Sequence, residues 1–152
     1  MASKLAAAKI ASWSGVQVVI TAADTPGAVK NVLDGSPSGT VVHPHERRLP
    51  SRKLWIAFAR GATGRIVVDE GAREALVESG RSLLSAGVKS VDGDFEVDDA
   101  VEIVDPAGRP FAKGLVRYAS RDLAEIAGRR TDELGEGRSA AVVHRDDLVV
   151  FP

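Results

Sequence analysis

The stretch LLSAGVKSVDGDFEVDDAVEIVD (residues 83–105), with GRPFAKGLVRY (residues 108–118) just after it, decides the fold. Gly87 to Val91, Ala100 to Asp105 and Pro110 to Tyr118 are short runs rich in β-branched residues. Asp92-Gly93-Asp94 and Pro106-Ala107-Gly108 separate them with turn chemistry, so the pattern predicts strands joined by tight turns. Working outward, Arg65 to Asp69 reads as a strand before them and Asp147 to Phe151 as a last strand after them. A helix is expected from Glu70 to Ser79, with Ala72, Ala75, Leu76 and Val77 inward and Gly80 ending it. A second short helix is expected from Ser120, read as its N-cap, to Ala127. Together these elements predict a small β-barrel decorated by helices.

The N-terminal third follows a different grammar. Leu5, Ala8, Ile10 and Trp13 recur at helical spacing, which predicts a helix from Ser3, read as its N-cap, to Ser14, with Gly15 closing it. Val16 to Ile20 then reads as a strand, Ala28 to Leu33 as a helix behind Thr25-Pro26-Gly27, and Gly39 to His43 as another strand. Helix, strand, helix is the order of an α/β layer. The segment from His43 to Lys53 is polar and holds two prolines, and it reads as a domain boundary. The expected division is 1–43, a partial α/β segment; 44–59, a linker; and 60–152, the barrel. The fold class is α+β overall.

Composition narrows the function classes. The 152 residues are 44% hydrophobic and 27% charged, near the averages of globular proteins, so disordered and fibrous classes are excluded. Cysteine is absent, which removes disulfide frameworks and thiolate metal sites. Uncharged stretches such as Ile10 to Ala23 are too short and too polar for a membrane span, so no membrane role and a cytoplasmic location are expected. The net charge is −1, with no basic half to bind nucleic acid. One basic cluster stands out: Arg109, Lys113, Arg117, Arg121, Arg129 and Arg130 against Asp122 and Glu125.

Several polar groups invite chemistry and have structural readings beside it. His43, His45 and Glu46 are metal-ligand types, but at i, i+2 and i+3 of a proline-containing loop they fit a linker better. Asp92, Asp94, Glu96, Asp98 and Asp99 lack the glycine and distal glutamate of a calcium loop, so they read as a solvated turn. In His144-Arg145-Asp146-Asp147 a histidine and carboxylates adjoin, yet no serine or cysteine nucleophile has a partner motif nearby. That run is expected to form a turn, with charge pairing, before the last strand. Only 7 residues are aromatic, too few for a base-stacking platform. Trp55, Phe58 and Tyr118 are expected in core or interdomain packing.

Together RRLPSRKLWIAFA (47–59), the 83–105 and 108–118 stretches, and VVHRDDLVVF (142–151) resemble the C-terminal part of bacterial glutamate 5-kinases. The last hundred or so residues resemble the PUA domain of that family, a pseudo-barrel, and residues 1–43 resemble the end of its amino-acid kinase domain. The resemblance implies an ATP-dependent phosphotransferase with a carboxyl acceptor, acting on glutamate in proline synthesis with ATP and Mg²⁺ as cofactors. Met1, Ser3 and Lys4 match the tail of a Gly-Thr-Gly-Gly-Met stretch of such kinases. Ser3 and Lys4 are therefore implied to lie in the ATP-phosphate region of the intact enzyme. The glycines fall outside this sequence, so the expectation is a fragment inactive alone and without catalytic or metal residues. Phosphoryl transfer rests on many converging groups, which one lysine cannot replace.

The same resemblance implies an accessory or regulatory role for the PUA part and places an RNA- or partner-facing surface at Arg73, Arg81, Arg117 and Arg145. Glu70, Glu74 and Glu78 on the neighbouring helix oppose phosphate there. Two alternatives stay open: a stand-alone RNA-binding module, and a homo-oligomer formed through a sheet edge of residues 1–43.

Overall fold

The computed structural model describes residues 1–36, 38–46, 48–134 and 139–151. The chain forms two compact units, Met1–Leu54 and Trp55–Pro152.

The first unit opens with helix α1, Ala2–Trp13, which presses Ala8 and Trp13 inward. Its N-cap is Met1, whose carbonyl accepts from both Lys4 N and Leu5 N at 3.1 Å, so the expected Ser3 cap is corrected. Alanine is the strongest helix former, and the Ala-rich start carries the helix back through Ser3. Strands β1 (Val18–Ile20) and β2 (Thr40–Val42) pair antiparallel, with Val18 opposite Val42. Helix α2, Ala28–Leu33, lies between them in sequence.

Much of the segment expected as a linker is packed. Ser12 Oγ donates to the His43 carbonyl at 2.7 Å, and His45 N donates to the Ser12 carbonyl at 2.9 Å. The His45 ring stacks on Trp13 with centroids 3.8 Å apart and an 11° interplanar angle. Residues 43–45 therefore cover the C-terminal end of α1, which leaves His45 as a packing residue. Arg47 lies outside the described residues. A single helical turn, α3 (Ser51–Leu54), completes this unit.

The second unit begins with a π-helical turn, Trp55–Ala59, that sequence periodicity did not reveal. Ile56 is its buried residue, whereas Trp55 is 44% exposed. A mixed sheet follows, with strands β3 (Gly64–Val68), β4 (Leu83–Leu84), β5 (Val88–Gly93), β6 (Ala100–Val104), β7 (Pro110–Val116) and β8 (Ala141–Val150). Their order is β4-β8-β7-β6-β3-β5, and β3–β6 is its parallel pair. Helix α4, Glu70–Ser79, and helix α5, Ser120–Ile126, close over the core. Ile66, Leu76, Ile103, Leu123 and Ile126 are at most 1% exposed, each worth about 1.5–3 kcal/mol on burial.

Three expectations are corrected here. On α4 the buried residue is Leu76, while Val77, one 100° step further round, is exposed. The N-cap of α5 is Ala119, because the Ser120 hydroxyl is engaged elsewhere, donating to Asp94 Oδ1 at 3.1 Å. The last strand starts at Ala141, so His144 to Asp147 lie inside it and do not form a turn before it. Gly114 faces Leu148 and Val116 faces Val143, so four residues bulge from β8 opposite the single Leu115 of β7. The polar run is that bulge, and its polarity disguised a continuous strand.

Candidate partner-binding surface

Helix α4 and the chain leaving it build one edge of the second unit. The Asp69 carboxylate accepts from Ala72 N at 2.7 Å, capping the helix, and Gly80 ends it in the left-handed region at φ 57°. Gly87 then passes against the helix so closely that an added Cβ would stand 2.5 Å from the Ala72 Cβ. Between helix and returning chain lies a hollow of about 280 Å³, with Ala72, Ala75, Leu76 and Leu83 as its apolar lining and Asp69, Arg81 and Ser82 among its polar groups.

The β8 bulge reaches this edge. Arg145 N donates to Ser82 Oγ at 3.0 Å, which brings Arg145 and the Arg81-Ser82 pair together. Within the bulge Arg145 and His144 both lean on Asp146, at 3.8 and 3.4 Å. Arg73 and Arg117, the other two arginines expected on the surface, have contacts of their own. Arg73 pairs with Glu70 at 2.9 Å and lies over the Phe111 ring, while Arg117 N donates to the Val142 carbonyl at 2.9 Å.

The basic cluster of residues 109–130 does not present six open charges. Arg109 is paired to Asp105 at 2.8 Å, and Lys113 is buried at 8% exposure. Asp105 accepts from Arg109 N and Ala107 N, both at 2.9 Å, and closes the β6–β7 turn. Those hydrogen bonds, led by the one from Arg109 N, hold its carboxyl below the usual carboxylate value against the opposing effect of burial. Lys113 donates from Nζ to the Arg60 carbonyl. Burial lowers its ammonium pKa, and Glu102, opposite it on β6, partly offsets the effect.

The acidic run does loop work. Asp94 holds Ser120, Asp99 Oδ2 accepts from Glu96 N at 3.0 Å, and Asp98 adopts φ 69°, a conformation aspartate tolerates. Among the described residues no group of three or more His, Cys, Asp or Glu is placed to hold a metal ion. Ser3 and Lys4 are exposed in the first turn of α1, and Lys4 borders a hollow of about 440 Å³ otherwise lined by residues such as Ala8, Ala11, Val18 and Ile20. One cation beside small apolar side chains does not make the donor set of a Mg²⁺–triphosphate site.

A model of the PUA domain matches residues 64–137, a stretch that begins at β3 and includes α5. Residues 64–137 are a PUA domain. The hollow beside α4 and the β8 bulge are therefore features on or next to that domain. The expected resemblance to the glutamate 5-kinases is also borne out. The chain is 43% identical to "Glutamate 5-kinase" of Trichormus variabilis over 154 residues, covering 99% of this chain and 42% of that protein. Against "Glutamate 5-kinase" of Myxococcus xanthus it is 46% identical over 155 residues, covering 99% and 41%. The chain thus spans about two fifths of these relatives. A solved PUA domain from Aeropyrum pernix K1 is 28% identical, covering 62% of this chain and 49% of that one, with a TM-score of 0.43. No helix among the described residues is long and apolar enough to cross a membrane.

Proposed function

We propose that this chain is the PUA-bearing part of a glutamate 5-kinase, a cytoplasmic enzyme that transfers the γ-phosphoryl of ATP to the glutamate side-chain carboxylate. The single observation that carries the reading is similarity at 42–46% identity across 99% of the chain, so that both compact units match the same relatives. ATP and Mg²⁺ serve the longer enzyme, with Ser3 and Lys4 on the border of its phosphate region. The PUA domain acts as an accessory or regulatory element, and the assembly is a homo-oligomer. These 152 residues do not catalyse the transfer by themselves, because its charge stabilisation needs more groups than Lys4 offers.

A stand-alone RNA-binding module is the weaker reading. Burial of Lys113 and pairing of Arg109 remove two cations from the cluster that would have to meet phosphate.

A chimera tests the proposal: the complete 152-residue chain replaces the matching part of the Trichormus variabilis relative. Glutamate-dependent ADP release by the chimera, with none from the 152-residue chain alone, is the expected result. A folded but inactive chimera overturns the assignment, and turnover by the chain alone overturns its dependence on the rest of the kinase.

A further inference from the structure

Among the described residues three polar side chains are buried: Ser85, Asp105 and Lys113. Each reaches a main-chain group. Ser85 Oγ donates to the Arg129 carbonyl at 2.9 Å, and Asp105 closes the β6–β7 turn. Lys113 differs because its charge meets a neutral main-chain carbonyl, whereas the Asp105 carboxylate also has the Arg109 guanidinium, and an ammonium is costly inside unless its hydrogen bonds are made. Its acceptor is the carbonyl of Arg60, the residue directly after the π-helical turn. The last carbonyls of any helix lack partners within it, and a cation there also meets the negative end of the helix dipole.

Arg60 is held a second way through its side chain. The guanidinium lies 5.3 Å from the Trp55 ring centroid and 3.5 Å from Asp99 Oδ1. Those contacts are half exposed and therefore weak, at about 0–1 kcal/mol for such an ion pair. The buried attachments are Ile56 at one end of the turn and the Lys113 bond at the other. The turn also begins at the division between the two compact units, Leu54/Trp55.

We propose that Lys113 is a clasp that sets the length of the connector between the two units. Closed, it fixes Trp55–Arg60 on the sheet and the second unit begins at Trp55. Open, these residues leave the sheet while the strands stay folded, and six residues of connector add up to about 20 Å of reach.

Amide hydrogen exchange on the complete chain tests this. In Lys113→Met the amides of residues 55–60 are expected to exchange about tenfold faster, while those of Val101–Val104 and Ala112–Val116 stay within about twofold of wild type. Arg60→Ala keeps the carbonyl and loses only the side-chain pairs, so its effect on residues 55–60 should stay within about threefold. Unchanged exchange at 55–60 in Lys113→Met overturns the clasp, as does the same acceleration everywhere. Equal opening in Arg60→Ala overturns it too. If Lys113→Met does not fold, Lys113→Leu, which likewise has no donor, takes its place. Loss of the whole fold in both variants shows a general core residue and also overturns the proposal.

Discussion

Arg145 and Ser82, 63 positions apart, are joined by a 3.0 Å hydrogen bond from the Arg145 main-chain N–H to the Ser82 hydroxyl. The bond ties the β8 bulge to the chain leaving α4, and it does so where β8 has left its ladder with β7. Ser82→Ala leaves that N–H to water. The expected loss is about 0.5–1.5 kcal/mol in urea unfolding, with faster amide exchange confined to residues 144–147. Unaltered exchange in the bulge would show that the serine does not position it.

Asp105 gives an acid-side prediction with a definite sign. Its folded pKa lies below the ordinary value of 3.8, so between the two values the unfolded chain binds more protons than the folded one. The stabilisation it supplies is fully present above the unfolded pKa and is lost as pH falls through the lowered folded one. Asp105→Asn should therefore remove part of the acid-side slope of stability below pH 3.8, as well as loosening the 105–109 turn. Urea midpoints of both proteins across that window provide the measurement. Parallel curves would contradict it.

Lys113 reverses the direction. Its folded pKa is lowered from 10.5 by burial, so between the two values the unfolded chain binds more protons than the folded one. Stability then rises with pH across that window, because raising pH disfavours the proton-binding unfolded chain. Lys113→Met has nothing to titrate at this site. The wild-type-minus-variant difference in unfolding free energy should climb as pH approaches 10.5 from below and stay flat at neutral pH. A difference that falls with pH would mean that the ammonium is better stabilised inside than in water.

The elements legible in the sequence are those with a clear period or a strong terminator. Helix α4 showed its stripe and its Gly80, and β6 and β7 showed their apolar runs between Gly-containing turns. What escaped depended on partners far away in the chain. Leu83–Leu84 is a strand only because Ala141 and Val143 lie opposite it, and two residues carry no period. Ser120 was the better cap by type, but Asp94 and Phe95 hold its hydroxyl. Of the candidate surface, the structure bears only on which segments lie together. Resemblance named Arg81 and Arg145, and the Ser82 bond joins their segments, but no spacing rule reveals that Lys113 turns inward.

Gly114 sits where β7 meets the bulge, and the crowding there is severe. A Cβ at this position would lie 2.4 Å from Val143 Cγ1 and 3.0 Å from the Asp147 carbonyl oxygen. Val143 is fully buried and held by the strand pairs to Val116 and Leu83, so it has little room to yield. Gly114→Ala should therefore destabilise the second unit by about 1–3 kcal/mol, the usual cost of overpacking. The double variant Gly114→Ala with Val143→Ala removes the obstructing methyls. If the Val143 contact is the cause, the pair should lose less than the sum of the two single changes. Additive losses would place the strain at the Asp147 carbonyl instead, the main-chain oxygen at the end of the bulge.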